Sequence, residues 1–403
     1  MKKSIAASGI LKKSLVALIT VPAGMYSFWG VTQLAVAQDA TSRPSLEEIV
    51  VTAQKKSESL QDVALTIQAF NGAQVDELNI NDIEALSENM PAVTISRSGT
   101  SQRVIMRGIG SGTNDGFEQS VGVFMDGIYY GRGQQIRPKF IDIGQIETLK
   151  GPQSTLFGTN VTAGAINITS NNPTESFEGE IQGTFGEDNE REINLILSGP
   201  ITSNLLGRVA LYKRDDDGYV INDTLNKRVV GEDHWGGRAV LLYTPTDRLS
   251  FRAAYEYHDL DQFGNAAQIV SDPSARDSAE AITGDSGELD YHRIGGIQRG
   301  YSVVPNGPDS DTNTYHTASL RTSYEGDGFT LTSVTGYTKY DWDNVNDSEY
   351  IENPVLNFAQ RTQQPFKQFS QEFRLESSLG DNFDYLLGLY YHDQDLQTTK
   401  TTE

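Results

Sequence analysis

The stretch Asp142–Ile168, DIGQIETLKGPQSTLFGTNVTAGAINI, sets two short strand-forming runs, Ile146–Leu149 and Ala165–Ile168, around a segment made almost wholly of Gly, Ser, Thr, Asn, Gln and one Pro. Gly151 and Gly158 admit the positive φ values of tight turns, and Pro152 fixes its own φ and withholds a donor. The pattern predicts a compact backbone knot between two strands, polar enough to pack inside a wet cavity. The sequence on either side decides which cavity.

Upstream, Val63–Phe70 reads as a strand, followed by two short helices. Their starts carry capping-box spacing, Asn71 with Gln74 and Asn81 with Glu84, and Pro91 ends the second. Val93–Ile95 and Val104–Met106 read as further strands, and Arg107–Gly110 leads into the polar loop SGTNDGFEQS. Val121–Tyr130, VGVFMDGIYY, reads as a strand broken by a tight turn at Asp126 and Gly127. Together these elements predict a small mixed α/β domain over residues 62–173.

Downstream, over residues 174–403, the pattern changes to period two. Nine strands are expected near Phe177–Phe185, Glu192–Ser198, Leu206–Lys213, Trp235–Tyr243, Leu249–Asp259, Tyr315–Tyr324, Thr330–Tyr340, Phe369–Ser377 and Phe383–Tyr391. The fifth is the clearest: Leu249, Phe251, Ala253, Tyr255 and Tyr257 share one face, and Ser250, Arg252, Glu256 and His258 the other. Tilted strands of roughly 9–11 residues cross a bilayer. Short turns (GPITSN, TPTDR, EGDGF, SLGDN) alternate with long polar connections, the habit of outer-membrane barrels with their turns on the periplasmic side. A secreted β-sandwich also alternates apolar and polar residues, but nothing in its construction requires loop length to alternate by side.

Composition narrows the class. Cysteine is absent, which removes disulfides, thiolate metal sites and cysteine nucleophiles together. Asp and Glu number 54 against 32 Lys and Arg, a net charge of -22 that argues against a nucleic-acid partner. Hydrophobic content of 37% beside 38 Gly and 18 Tyr suits alternating strands better than a large dry core. The five histidines, His234, His258, His292, His316 and His392, show no ligand spacing, so no metal site is expected. Gly108–Gly116 and Gly131–Gly133 lack the Gly-Lys-Ser/Thr ending of a phosphate loop, and no Ser, His and Asp set stands out for hydrolysis. An enzyme is not expected.

The N-terminus, residues 1–37, has the layout of a secretory signal peptide. Lys2, Lys3, Lys12 and Lys13 precede an apolar run from Leu15, and Ala35-Val36-Ala37 supplies small residues at cleavage spacing. Pro22, Gly24 and Gly30 interrupt the run before it spans a bilayer comfortably, which disfavours an uncleaved anchor. Residues 38–61 follow, with LEEIVVTAQKK at Leu46–Lys56. Its Ile49, Val50, Val51 and Thr52 are strong strand formers near the mature N-terminus. They suit either lending an edge to another protein's sheet or forming an ordinary first strand.

This order of features resembles a TonB-dependent outer-membrane receptor. Leu46, Glu47, Glu48, Ile49, Val50, Val51, Thr52 and Ala53 look like the TonB box, and Asp62–Pro173 like the plug. The plug resemblance rests on VIMRGIG at Val104–Gly110, VGVFMDGIYY and the opening stretch, and FSQEFRLES at Phe369–Ser377 resembles a recurring barrel strand. The chain departs from the family pattern at Lys150, Ser154 and Thr159-Asn160-Val161, where loss of the usual Arg removes a guanidinium fork. The resemblance implies a plug followed by antiparallel transmembrane β-barrel strands, nine of an expected 22 or so. The chain is thus expected to be the N-terminal part of a receptor, from a truncated or incomplete reading frame.

The implied activity is uptake of a scarce nutrient, a ferric siderophore first, with cobalamin, an oligosaccharide or a non-transporting binding fragment as alternatives. The implied partners are TonB with its inner-membrane energising complex, outer-membrane lipid and the chelate, which carries the only iron. The receptor would be a monomer without a resident cofactor. A transcriptional-signalling variant is disfavoured, because only Gln38–Ser45 separates the signal peptide from the box. Arg107, Lys150, Glu372 and Arg374 are the candidates for seating the plug, with Arg107 and Glu372 a possible pair. Tyr130, Arg132 and Arg137 are the candidates for substrate contact at the plug apex.

N-terminal sequencing of the exported protein is expected to begin at Gln38. A chain that still begins at Met1 contradicts cleavage.

Overall fold

A computed structural model describes residues 15–16, 50–52, 55–56, 58–61, 63, 65–98, 101–112, 116–222, 227–263, 310–347, 359–378 and 383–402. The expected signal peptide lies outside them except Leu15–Val16, which runs antiparallel to Gln182 and Gly183.

The opening stretch forms the centre of a five-stranded sheet with the order Ile67–Asn71, Ile143–Lys150, Gly164–Ser170, Val121–Met125, Ile128–Tyr130. Ile146 pairs with Ile168 and Leu149 with Ala165 in antiparallel register, and Gly164–Ile168 runs parallel to Val121–Met125. The glycine-rich segment folds back as predicted. Gly151 N–H donates to the Ala163 carbonyl and Gln153 N–H to that of Val161, both at 3.0 Å, around a single turn of helix at Ser154–Phe157.

Because side chains alternate across a strand, this sheet has two apolar faces. Ile146, Ile166, Ile168 and Val123 pack with Val75, Ile80, Ile83 and Leu86 under the two helices, Gly72–Glu77 and Ile83–Glu88. Leu149, Ala165 and Phe124 pack with Val51, Tyr129, Phe157 and Val161 on the other side. The first helix has the expected Asn71–Gln74 capping box. The second is capped one residue later than expected. Asp82 rather than Asn81 accepts from Ala85 N–H at 2.7 Å, and its second oxygen takes Lys139 Nζ at 2.5 Å. A charged acceptor between an open helix terminus and a lysine outcompetes the neutral amide. Asp126 and Gly127 adopt φ of 51° and 87°, the mirror-image turn that a tight hairpin requires.

All nine expected wall strands form, each longer than its apolar pattern or close to it: Glu178–Phe185, Arg191–Thr202, Leu205–Asp215, Gly231–Thr246, Leu249–Phe263, Ser310–Gly326, Phe329–Asp347, Ala359–Ser378 and Asp384–Leu396. Each pairs antiparallel with the next in the chain. The ladders outrun the apolar pattern because backbone pairing continues past the zone where the outer face must be apolar. Among the described residues the first and ninth strands do not pair with each other. Within the wall region, the hairpin of Val220–Asn222 with Lys227–Val229 and the strand Thr399–Thr402, which returns to pair with Gln360–Gln363, went unread.

Inside and outside follow the predicted faces. In the eighth strand Gln368 and Ser370 are buried while Phe369 and Phe373 are exposed outward. In the fifth, Tyr255 is exposed and His258 buried. The molecule is therefore a small mixed α/β plug domain against an antiparallel wall of barrel type, and among the described residues no helix is long and apolar enough to cross a membrane.

Gly164 is where the sheet tolerates no side chain, since a Cβ would lie 2.2 Å from Met106 Sδ and 2.4 Å from the Leu149 carbonyl oxygen. Gly164→Ala is expected to destabilise the protein by about 1–3 kcal/mol in thermal unfolding. Gly183→Ala, whose Cβ meets nothing closer than 3.9 Å, is the control expected to leave the midpoint unchanged.

Candidate functional site

Of the box-like segment, Val50–Thr52 is described, and Leu46–Ile49 and Ala53 lie outside the described residues. Val50–Val51 pairs with Glu58–Ser59, and the fully buried Val51 side chain enters the apolar cluster on the plug sheet. Strand alternation then turns Thr52 to the polar side. There Thr52 N–H donates to Glu147 Oε1 at 2.6 Å, and its hydroxyl donates to the same oxygen at 3.1 Å. Asn167, which faces Glu147 in the register, donates its side-chain amide to Glu147 Oε2 and Thr52 Oγ1, each at 3.2 Å. Gln145 donates to the Val50 carbonyl at 2.8 Å. Burial pushes the Glu147 carboxyl above its usual range, and the donors from Thr52 and Asn167 pull the other way.

The segment is also tied to the wall. Lys55 Nζ lies 3.3 Å from Glu372 Oε2 on the eighth strand and stands over the rings of Phe157 and Phe124 at 5.0 and 5.6 Å. Burial holds the Lys55 amine below its usual range, opposed by the Glu372 carboxylate. Lys56 pairs with Asp384 at 3.0 Å. An open groove beside it is lined by Glu58, Glu325, Gly328 and Ser378, at the short turns of the wall. The box-like segment and the short turns, read separately in the sequence, thus meet at one end of the molecule.

The plug is seated by guanidiniums reaching in from the wall. Arg208 grips Asp142 through Nε and Nη2 at 2.5 and 2.6 Å. Arg252 lies 3.4 Å from Asp126 Oδ2 and donates to Ser170 Oγ at 2.6 Å, while Ser170 itself bonds both Asp126 oxygens. Arg238 pairs with Glu256 and donates to the Ile141 carbonyl at 2.7 Å. Burial alone would raise the Asp126 carboxyl, but Arg252, Arg238 and the Ser170 donors hold it below its usual range. His258 lies 3.1 Å from His234 and 2.5 Å from Glu256. No metal-holding group of three or more ligands occurs among the described residues.

The candidate residues are redistributed. Glu372 and Arg374 do point inward, 3.5 Å apart, but the plug-side partner of Glu372 is Lys55 and not Arg107. Arg107 is an exposed residue of a tight turn, φ 51°, with its N–H fixed to the Ala92 carbonyl. Lys150 donates within the plug, to the Pro91 carbonyl at 2.9 Å. Tyr130, Arg132 and Arg137 lie toward the long-connection end, yet all three are buried between plug and wall. Tyr130 shares a 2.8 Å hydrogen bond with Thr317. Arg137 pairs with Asp311 at 2.9 Å. Arg132 donates to the Gly116 carbonyl and Glu118, with its guanidinium 5.9 Å from the Phe366 ring centre. Tyr130 and Arg137 therefore join plug to wall where an open apex was expected.

Residues 59–165 match the family model described as the TonB-dependent Receptor Plug Domain. The chain carries the plug domain of the TonB-dependent receptors. The pesticin receptor of Yersinia pestis is 30% identical over 209 residues, covering 50% of this receptor chain and 30% of that protein. The iron-regulated outer membrane virulence protein of Vibrio cholerae is 28% identical over 198 residues, covering 45% and 30%. Among solved structures, the ferric yersiniabactin uptake receptor FyuA from Yersinia pestis shares the fold, with a TM-score of 0.69 at 19% identity over 84% of this chain and 50% of that one. The receptor chain spans about 30% of the length of those two curated relatives.

Lys55 and Glu372 are both largely buried, with side chains 11% and 14% exposed, so Lys55 relies on Glu372 for compensation, while Glu372 also has Arg374. A double-mutant cycle on thermal unfolding with Lys55→Met and Glu372→Gln is expected to give a coupling of about 1–3 kcal/mol. The cycle of Arg107→Met with Glu372→Gln is expected to give none.

Proposed function

We propose that this receptor chain serves energy-coupled uptake of a ferric siderophore across the outer membrane, as a monomer exported through a cleaved signal peptide. The observation that carries the reading is the place of the box: Val50–Thr52 is held on the plug sheet at the short-turn end of the wall, by Glu147 and a buried Val51. That end faces the periplasm in a barrel of this kind, where TonB and its inner-membrane energising complex would take hold of the strand. A paired strand supplies main-chain hydrogen bonds that resist pulling.

The same geometry suits gating without bond-making chemistry. The plug meets the wall largely through hydrogen bonds and ion pairs, which water can replace as they separate. An apolar seat would have to expose its area to solvent, at about 25 cal/mol per Å². Iron enters only as part of the transported chelate. An iron chelate is favoured over cobalamin because the iron-regulated Vibrio cholerae protein is 28% identical, against 22% and 24% for two vitamin B12 transporters.

The test is uptake by cells carrying the complete receptor gene, supplied with ferric siderophores or cobalamin, with and without TonB. Accumulation of iron from a siderophore that requires both receptor and TonB is expected. Accumulation of cobalamin alone, or uptake indifferent to TonB, overturns the proposal.

A further inference from the structure

Glu147 is an unusual residue to find in the middle of a sheet. Its side chain stands on the plug's central strand, only 1% exposed, and its hydrogen-bond donors among the described residues are Thr52, Gln145 and Asn167, none of them a cation. A buried carboxylate without a cation persists only where donors converge on it. Here they come from two sources: Asn167 and Gln145, which belong to the sheet, and the N–H and hydroxyl of Thr52, which belong to the box. Two of the interactions on the carboxylate would therefore be lost whenever the box departs.

We propose that Glu147 is the positioning residue of the box: its carboxylate, braced by Asn167 and Gln145, sets how much of the time Val50–Thr52 stays docked on the plug and how much it is released. This rests on the reading of residues 46–53 as a TonB box, but the docking itself is a property of the receptor alone. Each part of the arrangement has a distinct task. Val51 supplies apolar burial without direction. Gln145 fixes the strand's axial position through the Val50 carbonyl, and Glu147 fixes its end through Thr52.

The geometry also gives the clamp a line to the rest of the plug. Glu147 lies on Ile143–Lys150, directly after Asp142, which Arg208 of the wall grips with two hydrogen bonds. Asn167 lies on Gly164–Ser170, whose last residue bonds Asp126 and Arg252. The two strands that hold the box are thus both fixed to the wall at their other ends. A shift of either strand at its wall contact moves a donor or the acceptor of the clamp.

The test exploits the absence of cysteine from the chain. In purified complete receptor, with any cysteine beyond residue 403 changed to serine, Val51→Cys puts a single thiol at a fully buried position, reactive with a maleimide only while the box is undocked. In the complete receptor, without TonB or substrate, the labelling rate is measured with and without Glu147→Gln, Thr52→Val and Asn160→Ala. Glu147→Gln is expected to raise the rate about tenfold, and Thr52→Val, which deletes the hydroxyl and leaves the N–H, several-fold. Asn160→Ala, which removes a bond to Glu118 and none to the box, is expected to leave it unchanged. Thr52→Val touches none of the plug's own hydrogen bonds among strands, so it reports the contact even if Glu147→Gln misfolds. Labelling at the parent rate in both clamp variants overturns the proposal. Faster labelling in a receptor that transports nothing with TonB would keep the clamp and remove the uptake reading.

Discussion

A carboxylate buried in a sheet and offered donors by a chain end is the interaction on which the plug's lower face depends. Glu147 is almost fully buried, on the strand that also carries Leu149 into the apolar cluster of Val51, Phe124 and Phe157. With the box in place, Thr52 completes its hydrogen bonding. With the box gone, the same carboxylate faces water. Both states are satisfied, so neither is a trap, and the free-energy gap between them stays small enough for a pulled strand to cross.

The same balance recurs where plug meets wall. Arg208, Arg238 and Arg252 project from the third, fourth and fifth wall strands onto Asp142, the Ile141 carbonyl and the Asp126–Ser170 pair. Guanidiniums make strong, directional hydrogen bonds to carboxylates, yet their separated forms are well hydrated. An interface built this way positions the plug to within a hydrogen bond's tolerance. It also avoids the large dry contact that would make withdrawal costly. Apolar packing is concentrated in the interior of the plug, where Ile146, Ile166 and Ile168 meet Ile83 and Leu86, and a smaller cluster of Ile141 with Ala210 and Tyr212 reaches across to the wall.

How much of this was legible follows from what each signal encodes. Period-two alternation named all nine wall strands and both faces of the fifth and eighth, because a side chain's face is fixed by its place in the strand. The Asp126–Gly127 turn and the Asn71 cap were legible as local chemistry. Pairing across the plug–wall interface was not. Arg252 and Glu256 could be put on the inward face, but which plug group each meets depends on register and rotation, which alternation leaves open. Arg107 was chosen for charge, and the turn that exposes it is tertiary. Asp126 was read only as a turn residue, although its inward carboxylate is central to the seat. Glu147 carried no signal beyond being a charge in an apolar strand, and that mismatch of residue type and surroundings is what could have flagged it.

The central claim, that the resting receptor keeps its box on the plug through Glu147, is tested most directly by site-resolved amide hydrogen exchange at Thr52. The account predicts an amide exchanging orders of magnitude more slowly than in free chain, with the protection lost in Glu147→Ala while the amides of Gly164–Ser170 stay protected. A Thr52 amide that exchanges at the free-chain rate in the unmodified receptor would contradict it.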